Sequence, residues 1–276
     1  MVFYYWSPSN LEKQFEAYKE AGFDGIEIRI SEESPVSSLP TSRGILRVEN
    51  IEEDARKISS IVKSVGIEVH SIMGGLLWKY PLTSPEKNVR EKGIKVLEKG
   101  IKAASILGAS ALLVVPGVVT ENVSYIEALE RSKESLSRVV KLAEEMNVIL
   151  AIENVGNRFL LSPLEMRDFV DSFNSDYVKA YFDVGNVLIL RQGYPQDWIR
   201  ILGKRIVKVH VKDYSERLRS VVHLFQGNIN WIEVIKALKE IGYNDYLTAE
   251  LTPYRLFPEK MLRDTASSLK LLTSIS

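Results

Sequence analysis

The 276-residue chain contains no cysteine, which excludes disulfides, thiolate zinc sites and cysteine nucleophiles together. Histidine is scarce as well. Only His70, His210 and His223 occur, too few for a zinc cluster built on many imidazoles. Neither charge is in excess, because 36 Lys and Arg balance 36 Asp and Glu. That balance argues against a nucleic-acid binder driven by a broad basic surface. No apolar run of ~18 residues occurs, and no charged stretch followed by an apolar core opens the chain, so neither a membrane span nor a secretory signal is expected. No Gly-rich phosphate loop follows an early strand, which removes the main sign of a dinucleotide-binding open sheet. These absences leave a cytoplasmic protein with a small-molecule partner, and no nucleic-acid or membrane partner, as the expectation.

What is present is a regular alternation. Hydrophobic residues make up 45% and charged residues 26%, enough to build a core. Short β-branched runs alternate with segments of helical periodicity. Strands are expected at Val2–Tyr5, Asp24–Ile28, Ile67–Ile72, Ala111–Val115, Val148–Glu153, Val178–Asp183, Ile206–Val211 and Tyr246–Leu251. Helices are expected between them. One opens at the capping box Ser9-x-x-Glu12 and stops at Gly22; another opens at Ser162-Pro163-Leu164-Glu165. Further helices cover Ile51–Val65, Glu86–Leu107, Tyr125–Met146, the residues after Pro195, Trp231–Ile241 and Glu259–Leu272. The polar stretch Ser31–Asn50 is expected to be a loop acting as a lid or subunit contact. Runs such as Ala-Leu-Leu-Val-Val suit parallel strands buried on both faces. Eight strand–helix units in a chain near the ~250 residues typical of the architecture predict an α/β fold, a single (β/α)8 TIM barrel over residues 1–276. An open doubly wound sheet is the alternative.

Four successive strands end in groups that bind hard or borderline cations. They are Glu153, Asp183, His210 and Glu250. Strand C-termini share one face of a parallel barrel, where active sites of this fold lie, and neighbouring strands are ~4.8 Å apart. Three carboxylates and an imidazole converging there would be costly without a cation. The O/N donor set suits Mn²⁺, Co²⁺, Zn²⁺ or Mg²⁺.

The segments Leu77-Trp78-Lys79-Tyr80-Pro81-Leu82, Ile152-Glu153-Asn154, Phe182-Asp183-Val184-Gly185-Asn186, Val209-His210-Val211-Lys212-Asp213, Gln226-Gly227-Asn228-Ile229-Asn230-Trp231 and Ala249-Glu250 carry a resemblance. Over essentially its full length the chain resembles the xylose-isomerase-like sugar-phosphate isomerases and epimerases. Within them it looks most like the L-ribulose- and L-xylulose-5-phosphate 3-epimerases. Ligand spacings of 30, 27 and 40 residues agree with that group. The resemblance implies one divalent ion, Mn²⁺ first, on Glu153, Asp183, His210 and Glu250. It also implies acid–base work by Glu153 and Glu250 on a ketose or ketose phosphate, in a homodimer or homotetramer. Asn186 stands where many members carry His, which points to the pentulose-phosphate branch. Phe225-Gln226-Gly227 lacks a carboxylate common in relatives.

Asn154, Asn186, Lys212, Arg217, His70 and Trp78 are candidate substrate contacts, with Lys79 and Arg158 as further cations for a phosphate or carboxylate. Glu27 is expected either to orient a pocket residue or to form a helix-facing ion pair, and His223 to lie at the surface. Alternatives on the same site are a 1,2-aldose–ketose or hydroxypyruvate-type isomerase, a keto-uronate epimerase and a keto-inositol dehydratase. From other classes come an apurinic endonuclease, disfavoured by the scarcity of histidine, and a non-catalytic sugar-binding barrel.

Overall fold

The structure, a computed structural model, describes Met1 and residues 11–32 and 46–275. The expected strand Val2–Tyr5, the Ser9 end of the first capping box and most of the Ser31–Asn50 loop lie outside these residues. Parallel strands β1 (Gly25–Ser31), β2 (Leu46–Arg47), β3 (Glu68–Met73), β4 (Ala111–Val114), β5 (Ile149–Glu153), β6 (Val178–Asp183) and β7 (Ile206–Val211) follow in chain order. After them come an antiparallel hairpin, β8 (Asp213–Ser215) and β9 (Ser220–Val222), and a last parallel strand, β10 (Leu247–Ala249). The large sheet has the order β10-β7-β6-β5-β4-β3-β1-β2. Met1 extends the pairing beside β1, its carbonyl accepting from the Glu27 amide.

The sheet is rolled. β10 and β3 are five strand positions apart, about 24 Å in a flat sheet. Yet Thr248 Oγ1 on β10 lies 3.1 Å from His70 Nε2 on β3. Glu27 on β1 likewise reaches His210 on β7. The inner faces therefore meet across a barrel interior filled by Ala111, Leu113, Ala151 and Tyr181. The alternate side chains, such as Leu112, Val114 and Leu150, join a larger core beneath the helices.

Those helices are α1 (Leu11–Ala21), α2 (Ile51–Val65), α3 (Lys87–Leu107), α4 (Tyr125–Met146), α5 (Pro163–Asp171), α6 (Val184–Ile189), α7 (Pro195–Leu202), α8 (Trp231–Glu240) and α9 (Pro258–Ser274). Their ends follow the local chemistry. Gly66 and Gly108 close α2 and α3 in the left-handed conformation that glycine adopts without steric cost. Ser124 and Glu127 form a reciprocal capping box on α4. At α5, Ser162 caps and Pro163 occupies the first turn, but Glu165 turns to Leu161 N and the Tyr125 hydroxyl. The box expected there is thus half formed. Three elements were not foreseen: α6, the β8–β9 hairpin, and β2 inside the supposed loop. Each is short, so few periodic residues announce it. Among the described residues, no helix is long and apolar enough to cross a membrane.

Candidate metal centre

Strand parity assembles the site. Asp183 on β6 is in register with His210 on β7, His210 with Thr248 on β10, and Glu153 on β5 with Tyr181 on β6. Side chains alternate along a strand, so Tyr181 and Asp183 share the inner face, as do His210 and Lys212. Glu250 follows β10 two residues beyond inward-facing Thr248. Glu153, Asp183, His210 and Glu250 thereby bring one ligand atom each to within 4.8 Å of one another. His210 Nδ1 lies 3.3 Å from Glu153 Oε1, 3.8 Å from Asp183 Oδ2 and 4.0 Å from Glu250 Oε2.

The opposite edge of the imidazole is tethered. His210 Nε2 sits 2.8 Å from Glu27 Oε1, while Glu27 Oε2 accepts from Ser71 Oγ at 2.6 Å and Tyr181 Oη at 2.8 Å. Glu27 is fully buried. Burial works against its charge, but His210, Ser71 and Tyr181 together hold its carboxyl below the ordinary range. Of the two expectations for Glu27, orientation of a pocket residue is the one the geometry matches. The signal was in β1 itself. Its sequence Gly-Ile-Glu-Ile-Arg-Ile-Ser places both charged residues on one face of an otherwise apolar strand.

Electrostatics in the cluster are dominated by desolvation. Burial pushes the Glu153 carboxyl up to about 7, with Glu250 and Asp183 adding repulsion against the pull of His210. Asp183 is raised for the same first reason, with Lys212 opposing. At Glu250 burial is outweighed by Lys212 and His210, and the carboxyl is lowered. His210 is held well above the ordinary imidazole value; burial opposes its charge, but Glu27 and Glu153 prevail.

The residues fit a divalent ion on three counts. The donors are three carboxylates and one imidazole, a mixed hard and borderline set. All four atoms lie within 4.8 Å of one another, close to the width of about 4.2 Å of a coordination sphere with bonds of about 2.1 Å. Asp183 spends Oδ1 on capping α6 through the Asn186 amide, while its buried Oδ2 accepts no hydrogen bond. Lys212 Nζ forms an ion pair with that oxygen at 2.8 Å and with Glu250 Oε2 at 2.6 Å.

The other anticipated contacts are distributed differently. Lys212, expected to meet substrate, lies among the carboxylates, and Gly185 leaves room for it; a Cβ there would come 2.4 Å from Lys212 Cγ. Asn154, expected to read sugar hydroxyls, clamps the end of β6 instead: its amide donates to Asp183 O and accepts from Asp183 N. The Asn186 amide donates to Asn154 O. His70 lies deeper in the barrel than the cluster, on Thr248 and stacked on Tyr246 at 4.3 Å. Tyr246 in turn bonds Glu68 at the start of β3, so His70 belongs to the N-terminal half of the barrel rather than the mouth. Arg217 is exposed in the hairpin turn, and Trp78 is 44% exposed at the end of a 3-10 turn after β3. Lys79 pairs with Glu32. His223 is partly buried against Tyr254. The Gln226–Trp231 motif proves architectural: Asp213 accepts from Tyr214 N, Ile229 N and Trp231 Nε1, stapling that loop to the end of β7.

Comparison with known proteins agrees with this geometry. Residues 15–272 match the family described as Xylose isomerase-like TIM barrel, and the chain belongs to that family. It is 29% identical over 197 residues to the uncharacterized protein MJ1311 of Methanocaldococcus jannaschii, covering 68% of this chain and 64% of that one. The chain thus spans just under two thirds of that relative. It is 25% identical over 232 residues to the L-ribulose-5-phosphate 3-epimerase UlaE of Escherichia coli O1:K1 / APEC, covering 84% of this chain and 78% of the relative. Among solved structures, the 3-keto-D-glucoside 4-epimerase YcjR from E. coli superposes with a TM-score of 0.78 over 98% of both chains, at 16% identity. That likeness is one of fold.

Proposed function

We propose that this xylose isomerase-like barrel is a metal-dependent ketose epimerase that moves a proton at the carbon beside the carbonyl. The observation that carries the reading is the convergence of four ligand atoms within 4.8 Å, with a glutamate at each end of the arc. Glu153 ends β5 and Glu250 follows β10, and the Asp183–His210 pair on β6 and β7 stands between them. Two carboxylates separated in this way address the two faces of a planar enediolate, the minimum that epimerisation requires. The relationship to an L-ribulose-5-phosphate 3-epimerase supports the same chemistry.

Glu153, Asp183, His210 and Glu250 would hold the ion, Mn²⁺ in first place. A divalent ion there supplies Lewis-acid polarisation of the ketose oxygens, worth several kcal/mol. The remaining work falls to side chains. One of Glu153 and Glu250 takes the C3 proton, and the other returns a proton from the opposite face. The proton count is unchanged and nothing is oxidised or reduced. General acid–base catalysis of this kind contributes ~10²–10⁴-fold per group. Lys212, paired with Asp183 and Glu250, is the cation placed to donate a hydrogen bond to a substrate oxygen at the cluster.

The test is NMR of a ketopentose 5-phosphate incubated in D₂O with protein and Mn²⁺. Deuterium entering C3 with appearance of the C3 epimer is the expected result. Label delivered to C1 or C2 with aldose formation would replace the reading by a 1,2-isomerase. No exchange by metal-loaded protein on any ketose would end it.

A further inference from the structure

One charged side chain at the barrel mouth has no place in the chemistry above. Glu27 points into the interior, and side chains two residues apart on a strand share a face. Arg29 therefore stands on the inner face of β1, about 6.6 Å nearer the C-terminal rim. Unlike Glu27, it is exposed. It makes no hydrogen bond or ion pair with any described residue, whereas Lys212 is held by Asp183 and Glu250, and Lys79 by Glu32.

Its arm is nevertheless placed. It lies across Gly75, where an added Cβ would fall 2.1 Å from Arg29 Nε and 2.9 Å from its Cγ. The loop after β3 thus offers bare backbone at the point where the guanidinium crosses it. Glu27, two residues before it on the same face, holds His210 of the carboxylate cluster, which places the guanidinium on that side of the mouth. A guanidinium that is unpaired, exposed and seated beside the carboxylate cluster adds little to stability. Its planar fork is suited to an oxyanion.

We propose that Arg29 recognises an anionic group on the substrate, a phosphate ester or a carboxylate carried on the ketose away from the reacting carbon. This rests on the epimerase reading of the site and narrows it to anionic ketoses. Gly75 serves as the floor that sets the guanidinium's direction.

The experiment compares wild type, Arg29→Met and Gly75→Ala on a free ketopentose, its 5-phosphate and a keto-uronate. Inorganic phosphate binding is followed in parallel by calorimetry. Loss of a charge-assisted bidentate contact weakens recognition roughly tenfold or more. Arg29→Met is expected to raise the KM ratio of phosphorylated to free ketose at least tenfold, and to weaken phosphate binding by a similar factor. Gly75→Ala, which keeps the guanidinium but displaces its arm, should shift the same ratio in the same direction. If the keto-uronate responds and the phosphate ester does not, the anion is a carboxylate. Equal KM changes for charged and uncharged ketoses would overturn the proposal while leaving the epimerase reading intact. If wild type turns over no ketose, the epimerase reading fails by itself. Phosphate binding then decides for Arg29, and binding undiminished in Arg29→Met would sink the assignment.

Discussion

Glu27 Oε1 and His210 Nε2 lie 2.8 Å apart although 183 residues separate them in the chain. The contact orients the imidazole so that Nδ1 faces Glu153, Asp183 and Glu250. An acceptor on the far nitrogen settles which edge of a ligand histidine is available to a cation, and losing such partners typically costs 10–100-fold in metal affinity. Glu27→Ala is therefore expected to weaken Mn²⁺ binding by roughly that factor, measured by competition with a chelator. Glu27→Asp should recover part of it. Unchanged affinity in Glu27→Ala would show that the ring is held by packing alone.

In the proposed function the two glutamates share metal binding and proton transfer. Glu153→Gln and Glu250→Gln retain one oxygen donor and lose the proton-carrying group. Each is expected to lower kcat by ~10²–10⁴ while the circular dichroism spectrum is retained and metal analysis shows bound ion. Near wild-type turnover by metal-loaded Glu153→Gln would remove it from the acid–base pair.

Lys212 Nζ lies 2.8 Å from Asp183 Oδ2 and 2.6 Å from Glu250 Oε2, the counter-charge for both carboxylates. Removing one partner from a buried ion pair costs about 3–5 kcal/mol, because the other charge is left uncompensated. Lys212→Gln should therefore lower the melting temperature of chelator-treated protein, and Mn²⁺ should restore more stability to the variant than to wild type. Equal metal-induced shifts in the two proteins would show that Lys212 does not stand in for the cation.

His70 gives a further pH dependence. Burial holds its pKa well below 6.5, and the Met1 amino group, Lys208 and His210 push the same way. Lys208 lies over the Tyr246 ring, which stacks on His70, and pairs with Asp245; Glu68 bonds the Tyr246 hydroxyl. Folded His70 stays neutral while unfolded His70 takes a proton below about 6.5. The unfolded state then binds more protons, so stability falls as pH drops, by up to about 1.4 kcal/mol per pH unit. In denaturant titrations between pH 5 and pH 7.5, His70→Gln should lose less stability toward acid pH than wild type does. Parallel slopes would assign the acid sensitivity elsewhere.

The alternation of β-branched runs with amphipathic segments predicts parallel strand–helix units, and the lack of a Gly-rich phosphate loop favours a barrel over an open sheet. β6 and β7 span the expected Val178–Asp183 and Ile206–Val211. That alternation is sufficient to bring Glu153, Asp183, His210 and Glu250 to one end of the barrel, because a ligand at a strand's C-terminus is carried to the common face whatever surrounds it. What each neighbouring polar group does was decided only by the rolled sheet. Position along a strand tells which face a side chain takes, but not which side chain meets it from the opposite wall. Closure across the interior pairs Glu27 with His210, sets His70 below the cluster on Thr248 and drops Lys212 between two carboxylates. Asn154 turns to main chain for a related reason, since the end of β6 presents an amide and a carbonyl that burial requires to be paired. Local pattern thus determines the candidate ligands. The partners that orient and neutralise them depend on contacts between strands far apart in the chain, and only the tertiary structure supplies those.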